Sequence, residues 1–298
     1  MLTFFTTAKP FTGHSGVIQR NALKSWKLLD PDVEVILFGD EEGVAEVCAE
    51  MGLRHEPRAE RHDSGMKYLN YMFNEAQRTA KHPTLCYSNC DIVLLPDFRA
   101  GLKRAQEWRE KFLLAARRWD TDVTNPIEFA NEMWAEELRE FALTNGKKQS
   151  PHFIDFFIFP RGFYQDVPAL VVGRSYWDHW LVWRALDGGL PVLDASRYMV
   201  PVHQNHSYGY HPQGKQGTNE DPLAMRNIEL AGGMGHQRTI HDATHAMTKS
   251  GRILPTPLRK LFSQIYAMRK RQGFLENTFW LRKKLGLRRE RVLGSRER

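Results

Sequence analysis

The sequence predicts an α/β fold in which helices flank a mostly parallel central sheet. Short apolar runs alternate with longer stretches of helical periodicity through the first hundred residues. Such β-α-β-α-β alternation, with right-handed crossovers, is the beginning of a doubly wound sheet. With 298 residues, 42% of them hydrophobic, the chain can fill the core of one large α/β domain or two small ones.

The elements are predicted from clusters of apolar residues between breakers and from apolar residues recurring every three to four positions. Strands are predicted at Leu2–Thr7, Val33–Phe38, Leu53–Glu56, Leu85–Tyr87, Ile92–Leu95, Phe112–Ala116, Phe153–Phe159 and Pro191–Leu193. Helices are predicted at Ser15–Leu29, Glu42–Met51, Met66–Ala80, Phe98–Arg109, Asn131–Asn145 and Ser175–Leu186. We expect one domain over residues 1–250, with halves of about 1–98 and 99–250, and then a tail over 251–298.

The composition indicates a cytoplasmic setting. Three cysteines, Cys48, Cys86 and Cys90, lack CxxC spacing, which favours a reducing compartment over a disulfide framework or a zinc cluster. No apolar run approaches the roughly 20 residues that span a bilayer. Residues 1–7 lack the basic flank and cleavage site of a secretory peptide. We therefore predict a cytoplasmic protein, and leave open peripheral contact with the inner face of the membrane.

The tail carries the basic character of the chain. Residues 251–298 hold a third of the 42 Lys and Arg residues but only three of the 35 Asp and Glu residues. Residues 255–298 read as two basic amphipathic helices containing Phe and Trp, which fits an anionic membrane surface. The alternative is a helix packed on the body with a solvated basic face. Nucleic acid is not expected, because the charge is confined to the tail and no helix-turn-helix or RNP-like pattern occurs.

The stretch Thr84–Phe98 organises the rest of the chain. A short apolar strand runs into Asn89-Cys90-Asp91, and a second apolar run follows. The carboxyl end of a strand in an open α/β sheet is where such folds bind ligands. A carboxylate among apolar neighbours is costly unless a positive charge meets it. A divalent cation carrying a phosphate is therefore the expected partner of Asp91.

Two histidine pairs are candidate metal ligands. His203 and His206 lie within four residues in a polar segment, and a strand would point them to opposite faces, so either one fits. Imidazole suits Mn²⁺ better than Mg²⁺. A weaker alternative pairs His241 with His245 on a helix, although the Glu of an HExxH motif is absent. The Gly- and His-rich segment Tyr208–Asn219 is predicted to be a flap over bound ligand.

Two carboxylates compete for the role of catalytic base. Asp155 interrupts an apolar strand, so it faces either the surface or a site. Asp178, three residues after Ser175, fits a capping box, which would make it structural. The flanking aromatic residues, Trp177, His179 and Trp180, favour a cleft position instead, because such rings suit the apolar faces of sugars.

The Asn-Cys-Asp segment between two apolar runs resembles the DXD region of the GT-A glycosyltransferases, which hold a nucleotide sugar through a divalent metal. The resemblance covers Leu2–Asp97 and Phe153–Tyr208. It implies a GT-A fold with a Rossmann-like sheet, a nucleotide-sugar donor of the UDP type and a glycan or lipid-linked acceptor. It also implies Mn²⁺ or Mg²⁺ as cofactor.

The resemblance further assigns roles to single residues. Asp91 would hold the metal with His203 or His206, and Asp178 or Asp155 would act as base. Asn89 stands where the family has its first acid. The implied donor-binding residues are Thr6, Thr7, Lys9, Arg20, Asp40, Gly65, Asn89 and Asp91.

Two other functions remain open on the sequence. One is a metal-dependent hydrolase or nucleotidyltransferase that uses Asp91 and the histidines. The other is a non-catalytic protein that binds nucleic acid or a membrane through the basic tail.

Overall fold

A computed structural model describes residues 2–206, 221–257 and 259. Its strands are β1 (Thr3–Thr7), β2 (Glu34–Phe38), β3 (Arg54–Glu56), β4 (Thr84–Ser88), β5 (Ile92–Val93), β6 (Leu113–Ala115), β7 (Trp119–Thr121), β8 (Lys147–Lys148), β9 (Phe156–Pro160), β10 (Val192–Asp194), β11 (Val202–Gln204), β12 (His245–Met247) and β13 (Ile253–Pro255). Its α-helices are α1 (Gly13–Lys27), α2 (Val44–Met51), α3 (Leu69–Thr79), α4 (Pro96–Trp108), α5 (Trp134–Asn145), α6 (Trp177–Asp187) and α7 (Pro222–Leu230).

The larger of two sheets contains nine of these strands, in the order β13-β12-β10-β6-β9-β4-β1-β2-β3. β1 pairs in parallel with β2 and β4, β2 with β3, and β10 with β6 and β12. Only the pairs made by β9 and β13 are antiparallel in this sheet of the described chain. The predicted α/β class with a mostly parallel central sheet is therefore confirmed.

Helices cover both faces of this sheet, because successive strand residues point to opposite sides. On one face Phe4 of β1 stacks on Trp26 of α1, with ring centroids 5.0 Å apart. On the other face the next residue, Phe5, packs edge-on against Phe73 of α3 at 4.9 Å. All four rings are fully buried, and burying each stabilises the fold by about 1.5–3 kcal/mol. The fold is thus three layers of helix, sheet and helix.

A second, four-stranded sheet follows directly from the carboxyl end of β4. Its order is β5-β11-β7-β8, with β11 antiparallel to β5 and parallel to β7. Helix α5 packs on it through a small apolar cluster that includes Leu138 and Val202. The indole of Trp26 donates a hydrogen bond to the carbonyl of Ile92 at 2.8 Å, which ties α1 to β5. The short link Asn89–Asp91 therefore lies where the two sheets meet.

Strand β9 differs from its prediction. It begins at Phe156 rather than Phe153, so Asp155 lies just before the strand instead of inside it. β9 runs antiparallel to β4, with Ser88 opposite Phe156. Because the beginning of an antiparallel strand meets the end of its neighbour, Asp155 comes beside Asn89.

The chain divides into two units, Met1–Thr256 and Pro257–Arg298. The first ends at Thr256 rather than residue 250, because β13 joins the large sheet. The predicted flap Tyr208–Asn219 and nearly all of the predicted tail helices lie outside the described residues. No helix among the described residues is long and apolar enough to cross a membrane.

Candidate active site

Asp91 is held at the junction of the two sheets by its backbone. The amide of Ile92 donates to the carbonyl of Asn89 at 3.3 Å, closing a turn around Cys90 and Asp91. The carbonyl of Asp91 accepts hydrogen bonds from both the backbone and the side chain of Gln204, each at 3.2 Å. The carboxylate is therefore fixed at the carboxyl edge of the parallel strands, as the sequence predicted.

The pairing of the small sheet brings His203 to Asp91. His203 of β11 lies opposite Ile92 of β5, the residue that follows Asp91. Nε2 of His203 is 3.7 Å from Oδ2 of Asp91, and Nε2 of His206 is 3.2 Å from the same oxygen. The sequence left open which histidine accompanies Asp91. Both do.

Asp91, His203 and His206 form the one group of three candidate metal ligands found among the described residues. Their ligand atoms all lie within 4.8 Å of one another. One carboxylate and two imidazoles suit Mn²⁺, iron or zinc better than Mg²⁺, whose sites are built from oxygen ligands.

Two buried atoms of this group indicate that a cation fits it. Oδ1 of Asp91 and Nε2 of His203 are enclosed, yet neither has a hydrogen-bond partner among residues 2–206, 221–257 and 259. Each such orphaned polar atom costs about 1–3 kcal/mol. A divalent ion bound between them would remove both penalties.

The electrostatic surroundings keep Asp91 ionised. Burial raises the pKa of its carboxyl, but the nearby imidazoles of His203 and His206 outweigh that effect and hold the pKa well below the usual value. Only 19% of its side chain is exposed. A charged carboxylate in this position is ready to bind a cation without first losing a proton.

A buried Arg-Asp pair behind His203 is a part of the site that the sequence analysis missed. Nδ1 of His203 lies 3.1 Å from Oδ1 of Asp120, at an angle outside that of a regular hydrogen bond. Arg118 donates from Nε to the same oxygen at 2.7 Å. Burial raises the pKa of Asp120, but its contacts with His203 and Arg118 leave that pKa lowered.

Asp155 is part of the same charged network. Nη1 of Arg118 donates to both of its carboxylate oxygens, at 3.0 and 3.1 Å. The side-chain amide of Asn89 donates to Oδ1 of Asp155 at 2.7 Å. Of the two alternatives left by the sequence, the site position is the one observed. Its carboxylate is occupied by Arg118 and Asn89, and the amide of Asn89 is directed at Asp155.

Asp178 lies at the beginning of α6, close enough to Asp155 for their charges to interact. The N-cap residue of α6 is Tyr176 and makes no side-chain capping bond, so the predicted capping box of Ser175 and Asp178 is wrong. Burial raises the pKa of the Asp178 carboxyl; Asp155 adds to the rise and His179 opposes it. A carboxyl whose pKa is raised in this way suits a general base.

The backbone of the residue that precedes α6 is strained. Among the described residues, Tyr176 is the one non-glycine residue with a positive φ, at 86°. A left-handed conformation costs an aromatic residue about 1–3 kcal/mol, and such residues cluster at functional sites. The strain positions Trp177 and Asp178 at the first turn of α6.

The hydroxyl groups of the two predicted donor-binding threonines form hydrogen bonds with backbone carbonyls inside the sheet. Thr6 donates to the carbonyl of Ser88 at 2.5 Å, and Thr7 donates to the carbonyl of Phe38 at 3.0 Å. These bonds join the carboxyl ends of β1, β4 and β2. The two residues therefore hold together the strand ends that form the edge of the site.

Asp40 and Gly65 come together through a residue that the sequence analysis did not select. Arg61 donates to Asp40 at 2.6 Å and to the carbonyl of Gly65 at 3.2 Å. Gly65 has a φ of 83°, so its lack of a side chain matters there. Glu41 pairs with Arg61 at 3.1 Å and also with buried Lys67. Burial lowers the pKa of Lys67, and Glu41 opposes that shift.

Lys9 and Arg20, the two cations among the predicted donor-binding residues, have different surroundings. Lys9 is exposed at the end of β1; desolvation lowers the pKa of its ammonium, and the charge of Asp91 opposes that shift, so Lys9 lies on the side of Asp91. Its backbone is held by the side chain of Gln19, at 2.6 and 3.0 Å. Arg20 instead forms an exposed ion pair with Glu50.

The alternative pair of histidines does not share a helix. His241 lies in a 3₁₀ turn, Ile240–Asp242, and His245 lies in β12 against the ring of Trp108. The prediction that an α-helix aligns them is wrong, because neither histidine lies in an α-helix.

Comparison with known proteins gives no family assignment. No family model matches the chain, and no curated protein matches it. Among solved structures, it is similar to glucosyl-3-phosphoglycerate synthase from Mycobacterium tuberculosis in complex with Mn²⁺, uridine diphosphate and phosphoglyceric acid. The identity is 12%, the match covers 78% of this chain and 79% of that one, and the TM-score is 0.48.

A second similar structure is residues 1–349 of S. aureus TarS in complex with UDP-GlcNAc. The identity is again 12%, with 69% of this chain and 56% of that one covered and a TM-score of 0.43. The chain thus spans little more than half the length of TarS 1–349. Likenesses this distant carry no weight for function, which has to be argued from the geometry of the site.

Proposed function

We propose that this protein is a glycosyltransferase of the GT-A type, which moves a sugar from a UDP-type donor to a glycan or lipid-linked acceptor. The observation that carries the proposal is the convergence of Asp91, His203 and His206 at the carboxyl edge of a parallel sheet. That edge is where α/β folds bind nucleotides. The uridine nucleotides in the two solved structures above belong to the same substrate class, but the proposal rests on the site.

The donor would lie across the ends of β1 and β2. A divalent cation held by Asp91 and the two histidines would offset the charge that develops on the leaving diphosphate. Lys9, exposed beside Asp91, adds a positive charge on the same side. As the resemblance implies, Asp40, held by Arg61, would lie near the base or ribose, and Gly65 would allow close backbone approach to a phosphate or the sugar.

Asp178 is the better candidate for the base. In an inverting transfer a carboxylate must accept the proton of the acceptor hydroxyl. Asp155 is neutralised by Arg118, which donates to both of its oxygens, whereas the pKa of Asp178 is raised by burial.

A metal-dependent hydrolase is the second candidate, favoured by the donor set itself. Two histidines and one carboxylate leave coordination positions open for water and substrate. Such an enzyme would cleave a phosphodiester such as bis(p-nitrophenyl) phosphate in the presence of Mn²⁺ and would gain nothing from a sugar nucleotide.

The test is a panel of nucleotide sugars screened by melting temperature, with and without Mn²⁺. A ligand at 100 times its dissociation constant adds about 2.7 kcal/mol of stability, which raises the melting temperature by several degrees. We expect UDP-sugars to do so only with Mn²⁺. In Asp91→Ala, which should fold but not turn over, the shift should vanish, while the exposed control Asp187→Asn should keep it. No shift with any nucleotide sugar would overturn the proposal.

A further inference from the structure

We infer that Asp120 is a positioning residue for His203: its carboxylate keeps the proton of the imidazole on Nδ1 and so presents the lone pair of Nε2 to the metal site. This inference rests on the proposed metal centre. It assigns a role to a residue that no motif marks.

Strand register puts the two residues together. β7 and β11 are parallel, with Asp120 directly opposite His203. Cross-strand partners project to the same face of a sheet. Oδ1 of Asp120 lies 3.1 Å from Nδ1, whereas Asp91 lies on the Nε2 side of the ring at 3.7 Å. The imidazole is therefore placed between two carboxylates, of which only Asp91 belongs to the group of metal ligands.

Asp120 is itself held rigidly. Arg118 donates to its Oδ1 at 2.7 Å, and the side-chain amide of Gln149 donates to its Oδ2 at 2.8 Å. Arg118 is 7% exposed and is fixed on its other side by Asp155. These hydrogen bonds fix the positions of both carboxylate oxygens of Asp120, and the lowered pKa keeps the carboxylate charged.

The chemistry of imidazole gives this arrangement its consequence. A neutral ring carries one N–H donor and one acceptor nitrogen, and an ionised carboxylate only accepts. Histidines that bind metals nearly always donate their other N–H to a carboxylate, a carbonyl or water, and losing that partner typically costs 10–100-fold in metal affinity. Asp120 places such an acceptor 3.1 Å from Nδ1 of His203.

The rival arrangement is a doubly protonated ring. An imidazolium of His203 between Asp91 and Asp120 would satisfy both carboxylates without any cation. The two arrangements differ in the number of protons on the ring, which can be measured directly.

The first measurement is long-range ¹H–¹⁵N NMR on ¹⁵N-histidine-labelled, metal-free protein at pH 8, with His203 assigned from His203→Gln. We expect the Nδ1–H tautomer in the wild type and a shift toward Nε2–H in Asp120→Asn. An Nε2–H tautomer or a doubly protonated ring in the wild type would overturn the inference. This result needs no variant at position 120, so it holds if Asp120→Asn does not fold.

The second measurement is the affinity for Mn²⁺ alone, from the electron paramagnetic resonance signal of the free ion. Asp120→Asn should bind Mn²⁺ about 10–100-fold more weakly. The matched control is Asp187→Asn, which removes the same charge from an exposed residue at the end of α6 and should change affinity little. Unchanged affinity in Asp120→Asn would contradict the inference. Absence of nucleotide-sugar binding would instead overturn only the proposed function.

Discussion

Replacing Asn89 by Asp is the most informative perturbation of this site, because it puts an acid where the resembled family has its first one. In the structure, the side-chain amide of Asn89 donates a hydrogen bond to Asp155 at 2.7 Å, so it is not directed at a metal ion. An aspartate there would put two carboxylates in direct contact. We therefore expect Asn89→Asp to weaken the protein instead of improving it.

The size of the effect follows from what is lost. A hydrogen bond to a charged acceptor contributes about 1.5–3 kcal/mol, and repulsion between the carboxylates adds to its loss. Arg118, already bound to Asp155, offsets part of the repulsion. We expect the free energy of unfolding to fall by about 2 kcal/mol or more, which lowers the melting temperature by about 4–8 °C.

The assay is denaturant unfolding in EDTA, so that no metal can rescue the new carboxylate. The double variant Asn89→Asp with Asp155→Asn returns the cluster to its original charge and reverses the donor and acceptor. It should recover at least half of the lost stability. The reasoning is refuted if Asn89→Asp is as stable as the wild type, or if the two substitutions are additive within about 0.5 kcal/mol.

Three further predictions follow from the same contacts. Asp178→Asn should lower turnover by about 10²–10⁴-fold with donor binding intact. Because the pKa of Asp178 is raised in the folded protein, the wild type has its full stability at low pH and loses part of it as the pH rises through that pKa. Unfolding curves should therefore show Asp178→Asn to be more stable than the wild type at pH 8 but not at pH 3. Arg118→Gln should cost about 3–5 kcal/mol in denaturant unfolding, since it leaves Asp155 and Asp120 buried without their cation, and a loss under 1 kcal/mol would argue against a buried network. Deleting residues 257–298 should weaken binding to anionic vesicles in sedimentation, at about 1 kcal/mol per basic residue at the surface, with Mn²⁺ affinity kept; equal vesicle binding would exclude the tail as an anchor.

The parts of the site that the sequence predicted are those set by local pattern. An apolar run between breakers places Asp91 at the end of a buried strand, because a strand flanked on both faces must be apolar throughout. The same reasoning predicts the alternation of β1 to β4 with helices along the chain and the helices that flank the sheet. His203 and His206 followed from their residue type and spacing.

The parts that the sequence did not reveal depend on pairing between distant segments. Asp120 lies in a three-residue strand, β7, and its partner His203 is 83 positions away along the chain. Neither periodicity nor composition can therefore predict the contact. The role of Asp155 depends on the antiparallel direction of β9, which an apolar run alone does not specify. The resemblance predicts that Thr6 and Thr7 bind the donor. In the structure their hydroxyl groups instead form hydrogen bonds that join the ends of neighbouring strands.

The most direct test of the metal centre is a crystal structure with Mn²⁺ bound, with the ion located by its anomalous scattering. We expect one peak about 2.0–2.3 Å from a carboxylate oxygen of Asp91, Nε2 of His203 and Nε2 of His206. Full occupancy of Mn²⁺ elsewhere, with these three side chains still in contact only with one another, would contradict it.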